Sequence, residues 1–276
     1  MKRIDLEEQK QIELEMLLYV DKICRDNNIV YSLDGGTLIG ALRHKGFIPW
    51  DDDIDILLLR EEYERLIDII RKDNRYKVFI PGEQDNYFYG FTKIIDKRTV
   101  SYNRIEKKLG FPEMGVFIDI FPYDNIPQSK MEYMISQVKK YQKRAIISNK
   151  RGTYVYPDKK IKMAIKKVLQ YPMHLIYSGK STAYWIGKAV KEAKSYSKED
   201  IGYVGDFFGN LTMGTGKKVI FPREVFKEYT EALFEGHYFS IIKNYDKYLS
   251  KMYGDYMTPP PEEKRVLPHE YEFYWR

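Results

Sequence analysis

The stretch LDGGTLIGALRHKGFIPWDDDIDI, residues 33–56, decides how this chain reads. The apolar run at 29–33 reads as a short strand, Asp34-Gly35-Gly36 breaks it, and a helix is expected to open at Thr37. A strand–Gly-Gly–helix corner turns backbone N–H groups and a helix N-terminus toward an anion. After the loop marked by Gly46 and Pro49, a second strand is expected over 53–59. Residues two apart in a strand face the same side. Asp53 and Asp55 therefore project together while Ile54 and Ile56 enter the core; Asp51 joins them if the strand begins early. Carboxylates so placed repel one another unless a cation lies between them, and an all-oxygen ligand set suits Mg²⁺ or Mn²⁺. A capped loop with Asp55 on an exposed face is the alternative for the acids alone, and the Gly-Gly corner upstream favours the cation.

Outward from this stretch, apolar spacing predicts amphipathic helices over 6–27 and 61–72, strand-like segments at 76–80 and 87–95, and a strand over 115–121 ended by Pro122. Residues 129–195 turn helical and basic, interrupted at Gly152, Pro157 and Pro172, and a further helix is expected around 241–252. Asp119, in the run GVFIDIF, is a charge inside a segment that otherwise reads as buried. Burying a carboxylate with no partner costs several kcal/mol, roughly, so Asp119 needs a partner, a metal or an exposed site. Three acids on two adjacent strands form the geometry of a metal-dependent phosphoryl-transfer centre. The fold class is α+β, a mixed-sheet core at 1–128 with a basic helical insert at 129–200 and a C-terminal segment at 201–276 that completes the site.

The 276 residues are 43% hydrophobic and 31% charged, which excludes a disordered chain. Cys24 is the single cysteine, so an internal disulfide framework and a Cys-rich zinc site are excluded. No run approaches the about 18 apolar residues of a membrane span, and the charged start lacks a secretory apolar run, so a cytoplasmic setting is expected. Fifteen basic residues but only two acids, Asp158 and Glu192, lie between Lys139 and Lys194, a surplus of +13 in a chain of net charge +6. That block favours a phosphate-bearing partner or an anionic membrane surface. The 25 tyrosines raise the prospect of an aromatic cage for a quaternary ammonium. Tyr87, Phe88, Tyr89 and Phe91, or Tyr203, Phe207 and Phe208, are the candidates, with core packing as the alternative for each.

Residues 33–56, together with FIDIFPYD at 117–124, FEGHYF at 234–239 and YLSKMYGDYMTPPPEEKR at 248–265 followed by His269, resemble the LicD family. That family includes bacterial phosphocholine transferases and is related to the fukutin-related ribitol-phosphate transferases. The resemblance implies a nucleotidyltransferase-like fold with Gly35 and Gly36 at the corner, Asp53 and Asp55 as the acid pair and Asp119 as the third acid, all three acids serving as catalytic metal ligands. It implies Mg²⁺ or Mn²⁺, a CDP-choline or other CDP-alcohol donor, and passage of the phospho-alcohol to a hydroxyl of a cell-surface glycan or teichoic acid precursor with release of CMP. Asp119 is then placed to share a metal and accept the hydroxyl proton. Some relatives carry a cysteine-bearing zinc insert; with Cys24 alone, no zinc is expected here.

Beside the corner residues Gly35, Gly36 and Thr37 and the acid Asp51, the substrate-binding candidates are Arg43, Lys45, Trp50, Arg265 and His269. Arg43 and Lys45 suit a diphosphate, with a solvated loop as the alternative. His44 is a hydrogen-bond donor to phosphate or a packing residue, Trp50 stacks on a base or buttresses its loop, and for Arg265 and His269 the alternative is a surface ion pair. The segment 161–180 interleaves lysines with apolar residues, as a membrane-surface helix or a basic solvated face does, so peripheral contact through 139–194 with the inner face of the plasma membrane is an expectation. Pro172 argues against one continuous helix there. Two rival readings remain. An NTP-dependent nucleotidyltransferase keeps the fold, and a nucleic-acid-binding protein uses the basic block. The second leaves acids two apart after a Gly-Gly corner unexplained, so no nucleic acid is expected.

Overall fold

The computed structural model describes residues 1–103, 107, 110–149, 160–196, 202–208, 216–267 and 271–276, side chains of 160–167 and 216 excepted. Its first helix, α1 (Leu6–Asp26), is capped by Asp5, whose carboxylate accepts the Glu8 N–H at 2.8 Å, and buries Ile12, Met16, Leu17, Val20 and Cys24 at helical spacing. There follow β1 (Ser32–Leu33), α2 (Gly35–Arg43), β2 (Asp55–Leu59), α3 (Arg60–Ile70), β3 (Lys77–Phe79), β4 (Thr92–Ile95), β5 (Thr99–Ser101) and β6 (Phe117–Ile126). The second half carries α4 (Met131–Ser148), α5 (Lys160–Tyr177), α6 (Thr182–Ala193), β7 (Tyr203–Gly205), β8 (Ile220–Pro222), β9 (Tyr229–Phe234), β10 (His237–Ile242), α7 (Tyr245–Tyr253) and β11 (Phe273–Trp275). The class is α+β, as expected.

Among the described residues the main sheet runs β1-β2-β6-β4-β3, with β7 joined to β6 and β8 to β7. It is mixed: β2 and β6 are parallel and the other pairs antiparallel. Ile56, Leu57 and Leu58 are all fully buried, so β2 is covered on both faces. Sheet strands from the far end of the chain, β7 and β8, extend the same sheet. The hairpin β9–β10 forms its own two-stranded sheet beside β1 and α2. Helices α4 and α6 pack on one another over a second core that includes Phe91, Ile126, Val138, Ala189, Phe207 and Phe208.

Several expected boundaries move. The helix after the corner opens at Gly35 rather than Thr37, and the strand expected over 87–95 is confined to β4. The strand containing Asp119 does not end at Pro122 but continues to Ile126. The Asp119 N–H donates to the Ile54 carbonyl at 2.9 Å, so the nitrogen of every second residue from there faces β2 and that of Pro122 faces the other edge. On that edge β4 pairs with 117–120 and β7 with 124–126, and Pro122 falls in the gap between them. No ladder bond is lost. Pro172 likewise sits inside α5 instead of interrupting it. The carbonyl it leaves without an N–H partner is that of Val168, at a strongly exposed position where water can take over.

Candidate active site

The glycine corner and the acids meet because the sheet brings them together. The Asp34 N–H donates to the Asp55 carbonyl at 2.9 Å, and the Asp55 N–H donates to the Thr37 hydroxyl oxygen at 2.9 Å. The start of α2 is thus fastened at two points to the start of β2. Gly35 adopts φ +50°, and a Cβ there would lie 3.3 Å from Asp55 Oδ2. A Cβ on Gly36 would run into the Asp51 carboxylate. Both glycines are needed for the same reason: the backbone lies directly against carboxylate oxygens.

The acids form a continuous group. Carboxylate oxygens of Asp51, Asp52 and Asp53 lie within 4.8 Å of one another. The ladder begins at Asp55, so the loop, not strand pairing, holds Asp53 beside it. That loop is supported from below by α1, where Gln9 donates to the Asp52 carbonyl at 2.6 Å and Lys10 to the Ile48 carbonyl at 3.3 Å. Asp55 lies opposite Asp119 in the parallel β2–β6 ladder. Burial, then the charges of Asp53, Asp119, Asp34 and Asp51, push the Asp55 carboxyl well above the usual carboxylate range.

Three residues that sequence reasoning passed over complete this centre. Lys93 on β4 lies opposite Asp119 in the antiparallel ladder, so Asp55, Asp119 and Lys93 make one row across three neighbouring strands. Its ammonium donates to both Asp119 oxygens, at 2.6 and 2.7 Å. Asp34 caps α2 by accepting the Gly35 N–H at 2.7 Å and also accepts the Tyr248 hydroxyl, which meets the Tyr123 hydroxyl at 2.6 Å. Burial raises the Asp34 carboxyl to about 6 against those two hydrogen bonds. Tyr253 is half-exposed, but its hydroxyl end is enclosed near Gly35, and that burial together with Asp34, Asp55, Asp51 and Asp53 pushes its ionisation up.

Of the expected substrate-binding residues, Arg43, Trp50 and Arg265 converge as a second group, with His44. Arg265 lies over the Trp50 ring, 5.2 Å from its centre, and the His44 and Trp50 rings are 6.3 Å apart. Arg43 donates to the Tyr256 carbonyl at 2.7 Å and to His44 Nε2 at 2.9 Å. Burial and the neighbouring Arg265 lower the proton affinity of Arg43, and burial and Arg43 lower that of His44. Two guanidinium groups this close favour a shared anion. Lys45 stands apart: it is exposed, with its ammonium 3.4 Å from the Leu42 carbonyl. His269 lies outside the described residues. Among the cage candidates, Tyr87, Phe91, Phe207 and Phe208 are core residues, and Tyr89 and Phe91 face Lys93.

Residues 28–171 match the family model described as "LicD/FKTN/FKRP, nucleotidyltransferase domain". The chain belongs to the LicD family. It is 33% identical over 280 aligned residues to the lipopolysaccharide cholinephosphotransferase LicD of Haemophilus influenzae, with 99% of both chains covered. An uncharacterised protein of Rickettsia prowazekii is 37% identical over 116 residues, which cover 35% of this chain and 44% of that one. The matched LicD segment contains the corner, Asp51 to Asp55, Lys93 and Asp119, and the full-length likeness extends to the arginine at 265.

A divalent ion suits this donor set. Every candidate ligand is a carboxylate oxygen, the acids are crowded, and a nearby cation would relieve the burial and like-charge repulsion that push the Asp55 carboxyl up. Among the described residues no helix is long and apolar enough to cross a membrane.

Proposed function

We propose that this LicD-family protein is a metal-dependent transferase that moves phosphocholine, or a similar phospho-alcohol, from a CDP-linked donor to a hydroxyl of a cell-surface glycan and releases CMP. The observation that carries the reading is the junction of the Gly35-Gly36 corner with the Asp53, Asp55 and Asp119 carboxylates, in a chain that resembles a lipopolysaccharide cholinephosphotransferase from end to end. Backbone N–H groups at the start of α2 and the Arg43–Arg265 pair supply positive potential for the nucleotide phosphates. Asp53, Asp55 and Asp119 would hold Mg²⁺ or Mn²⁺, which neutralises the diphosphate and the leaving oxygen.

The reaction is a displacement at the phosphorus next to the alcohol. A bond forms from the glycan hydroxyl oxygen to that phosphorus as its bond to the CMP phosphate oxygen breaks, CMP leaves with the electron pair, and the hydroxyl proton passes to Asp119. The protein contributes positioning and charge rather than a covalent intermediate.

The acceptor is a glycan, and we assign it to the cytoplasmic membrane face on the strength of α5. Val168, Leu169, Tyr171, Leu175 and Ile176 are well exposed there, within the segment of +13 charge. Apolar side chains among lysines are what a peripheral contact with anionic lipid requires.

Thermal melting with Mg²⁺ and each of CDP-choline, CDP-ribitol, CDP-glycerol, CTP and ATP tests the donor. A metal-dependent rise with a CDP-alcohol, lost in Asp53→Asn, is the expected outcome. Stabilisation by CTP or ATP with none from any CDP-alcohol would overturn the reading in favour of an NTP-dependent nucleotidyltransferase.

A further inference from the structure

Lys93 is the buried cation that the acid centre does not explain. It is 2% exposed, in the middle of β4, and its ammonium spans both oxygens of Asp119. The same ammonium lies 3.5 Å from the centre of the Phe117 ring, 5.1 Å from Tyr89 and 5.4 Å from Phe91. A buried ion pair adds little stability over an apolar pair of the same shape, because desolvation offsets the attraction. Stability alone therefore does not account for a lysine in the row Asp55–Asp119–Lys93.

We propose that Lys93 is a substrate-contacting catalytic residue: its ammonium holds Asp119 in the donor-free protein and shifts onto a non-bridging oxygen of the transferred phosphoryl group when the donor binds. The proposal deepens the transferase reading and rests on it. A phosphoryl group entering beside Asp55 and Asp119 meets like charge, and a fixed positive charge next to Asp119 is the nearest relief the strands themselves provide. Lysine suits the role because its ammonium is compact and can rotate its three N–H donors between acceptors a few ångströms apart. The rings of Phe117, Tyr89 and Phe91 keep a favourable surface under the charge along the way.

The shift also sets the order of events at Asp119. In the donor-free protein both Asp119 oxygens are engaged by the Lys93 ammonium. Once the ammonium sits on the phosphoryl oxygen, one Asp119 oxygen is released to take the proton of the attacking hydroxyl, in the same displacement that expels CMP.

Binding measurements on the full chain test this without a known acceptor. Lys93→Met and Lys93→Gln are compared with wild type by titration with Mn²⁺ alone, with CMP, and with CDP-choline in the presence of Mn²⁺; circular dichroism and melting report folding, and the amide of Lys93→Gln retains a donor to Asp119. Removing a positive charge from the acid row should tighten donor-free Mn²⁺ binding at least threefold. Affinity for CDP-choline should fall at least tenfold, whereas CMP, which lacks the transferred phosphoryl group, should bind as in wild type. Wild-type protein that binds no CDP-alcohol sinks the transferase reading itself. Wild-type binding of CDP-choline with variants that bind it equally well, or variants in which Mn²⁺, CMP and CDP-choline all weaken together, overturns the role of Lys93 and leaves the transferase reading intact.

Discussion

The Thr37 hydroxyl oxygen accepts the backbone N–H of Asp55 at 2.9 Å, so one buried atom ties the helix of the glycine corner to the strand of the acids. Thr37→Val keeps the shape and deletes the acceptor, leaving an N–H at the edge of the site without its partner. Such a loss costs about 1–3 kcal/mol. The expected result is a drop of that size in urea unfolding, together with weaker Mn²⁺ and donor binding, and near-complete recovery in Thr37→Ser. Equal behaviour of the valine and serine variants would show that the hydroxyl is not what aligns the two elements.

Gly36→Ala separates geometry from stability more sharply. The new methyl group meets the Asp51 carboxylate, a side chain on a loop that can move aside. The fold should therefore survive with a loss of about 1 kcal/mol or less, while displacement of Asp51 from the acid group lowers Mn²⁺ affinity at least tenfold. An alanine variant with wild-type Mn²⁺ binding would show that Asp51, although beside Asp53, does not support the cation held by Asp53, Asp55 and Asp119.

Much of this centre is legible in the sequence because its signals are local. Asp34-Gly35-Gly36 announces a corner, Asp53 and Asp55 announce a shared side, and Asp119 stands out as a charge inside GVFIDIF. Lys93 carries the same signal in FTKII, yet its meaning depends on β4 lying against β6 in one particular register, which no local pattern contains. The Tyr248 hydroxyl reaches Asp34 from the far end of the chain; it opens the 248–265 run that resembles the family, but nothing local in that run points to Asp34 as its partner. Pro122 misleads for a related reason. A proline ends a strand only if its nitrogen faces a partner, and the partner is a property of the sheet.

Asp34 gives the protein a pH-dependent stability with a definite sign. Its carboxyl is raised by burial from the ordinary 3.8 to about 6, so between those values the folded chain holds a proton that the unfolded chain has released. Stability from this group is complete below about pH 4 and is lost as pH rises through 6, by roughly 3 kcal/mol at most. Asp34→Asn still caps α2 and can still accept from Tyr248, but it has no charge to bury. The difference in unfolding free energy between the asparagine variant and wild type should grow in favour of the variant from pH 4 to pH 7. Parallel curves would mean that Asp34 does not titrate in that window.

Arg60 and Asp124 supply a control for buried charge away from the chemistry. Asp124 is fully buried and paired with Arg60 at 2.6 and 2.8 Å, and it lies on the face of β6 opposite Asp119. Arg60→Met strands a buried carboxylate and should cost about 3–5 kcal/mol, most of which returns in Arg60→Met/Asp124→Leu. The doubly substituted protein should bind Mn²⁺ and CDP-choline as wild type does. Loss of donor binding in the refolded double variant would show that this pair contributes to the site as well as to the fold.

The exposed side chains of α5 carry the membrane assignment. Leu169 is 72% and Ile176 68% exposed, about two turns apart along the helix and on nearly the same face, in a segment rich in lysine. Vesicles containing an anionic phospholipid should sediment the protein where purely zwitterionic vesicles do not, and binding should weaken as salt rises because each basic residue contributes about 1 kcal/mol near a charged surface. Leu169→Asp/Ile176→Asp should abolish sedimentation while leaving Mn²⁺ and CDP-choline binding unchanged, since neither residue belongs to the acid centre. Sedimentation that survives the double substitution but falls with salt would mean that charge alone holds the protein to lipid. No sedimentation of the wild type at low salt would take the membrane out of the reading and leave α5 as a surface for another partner.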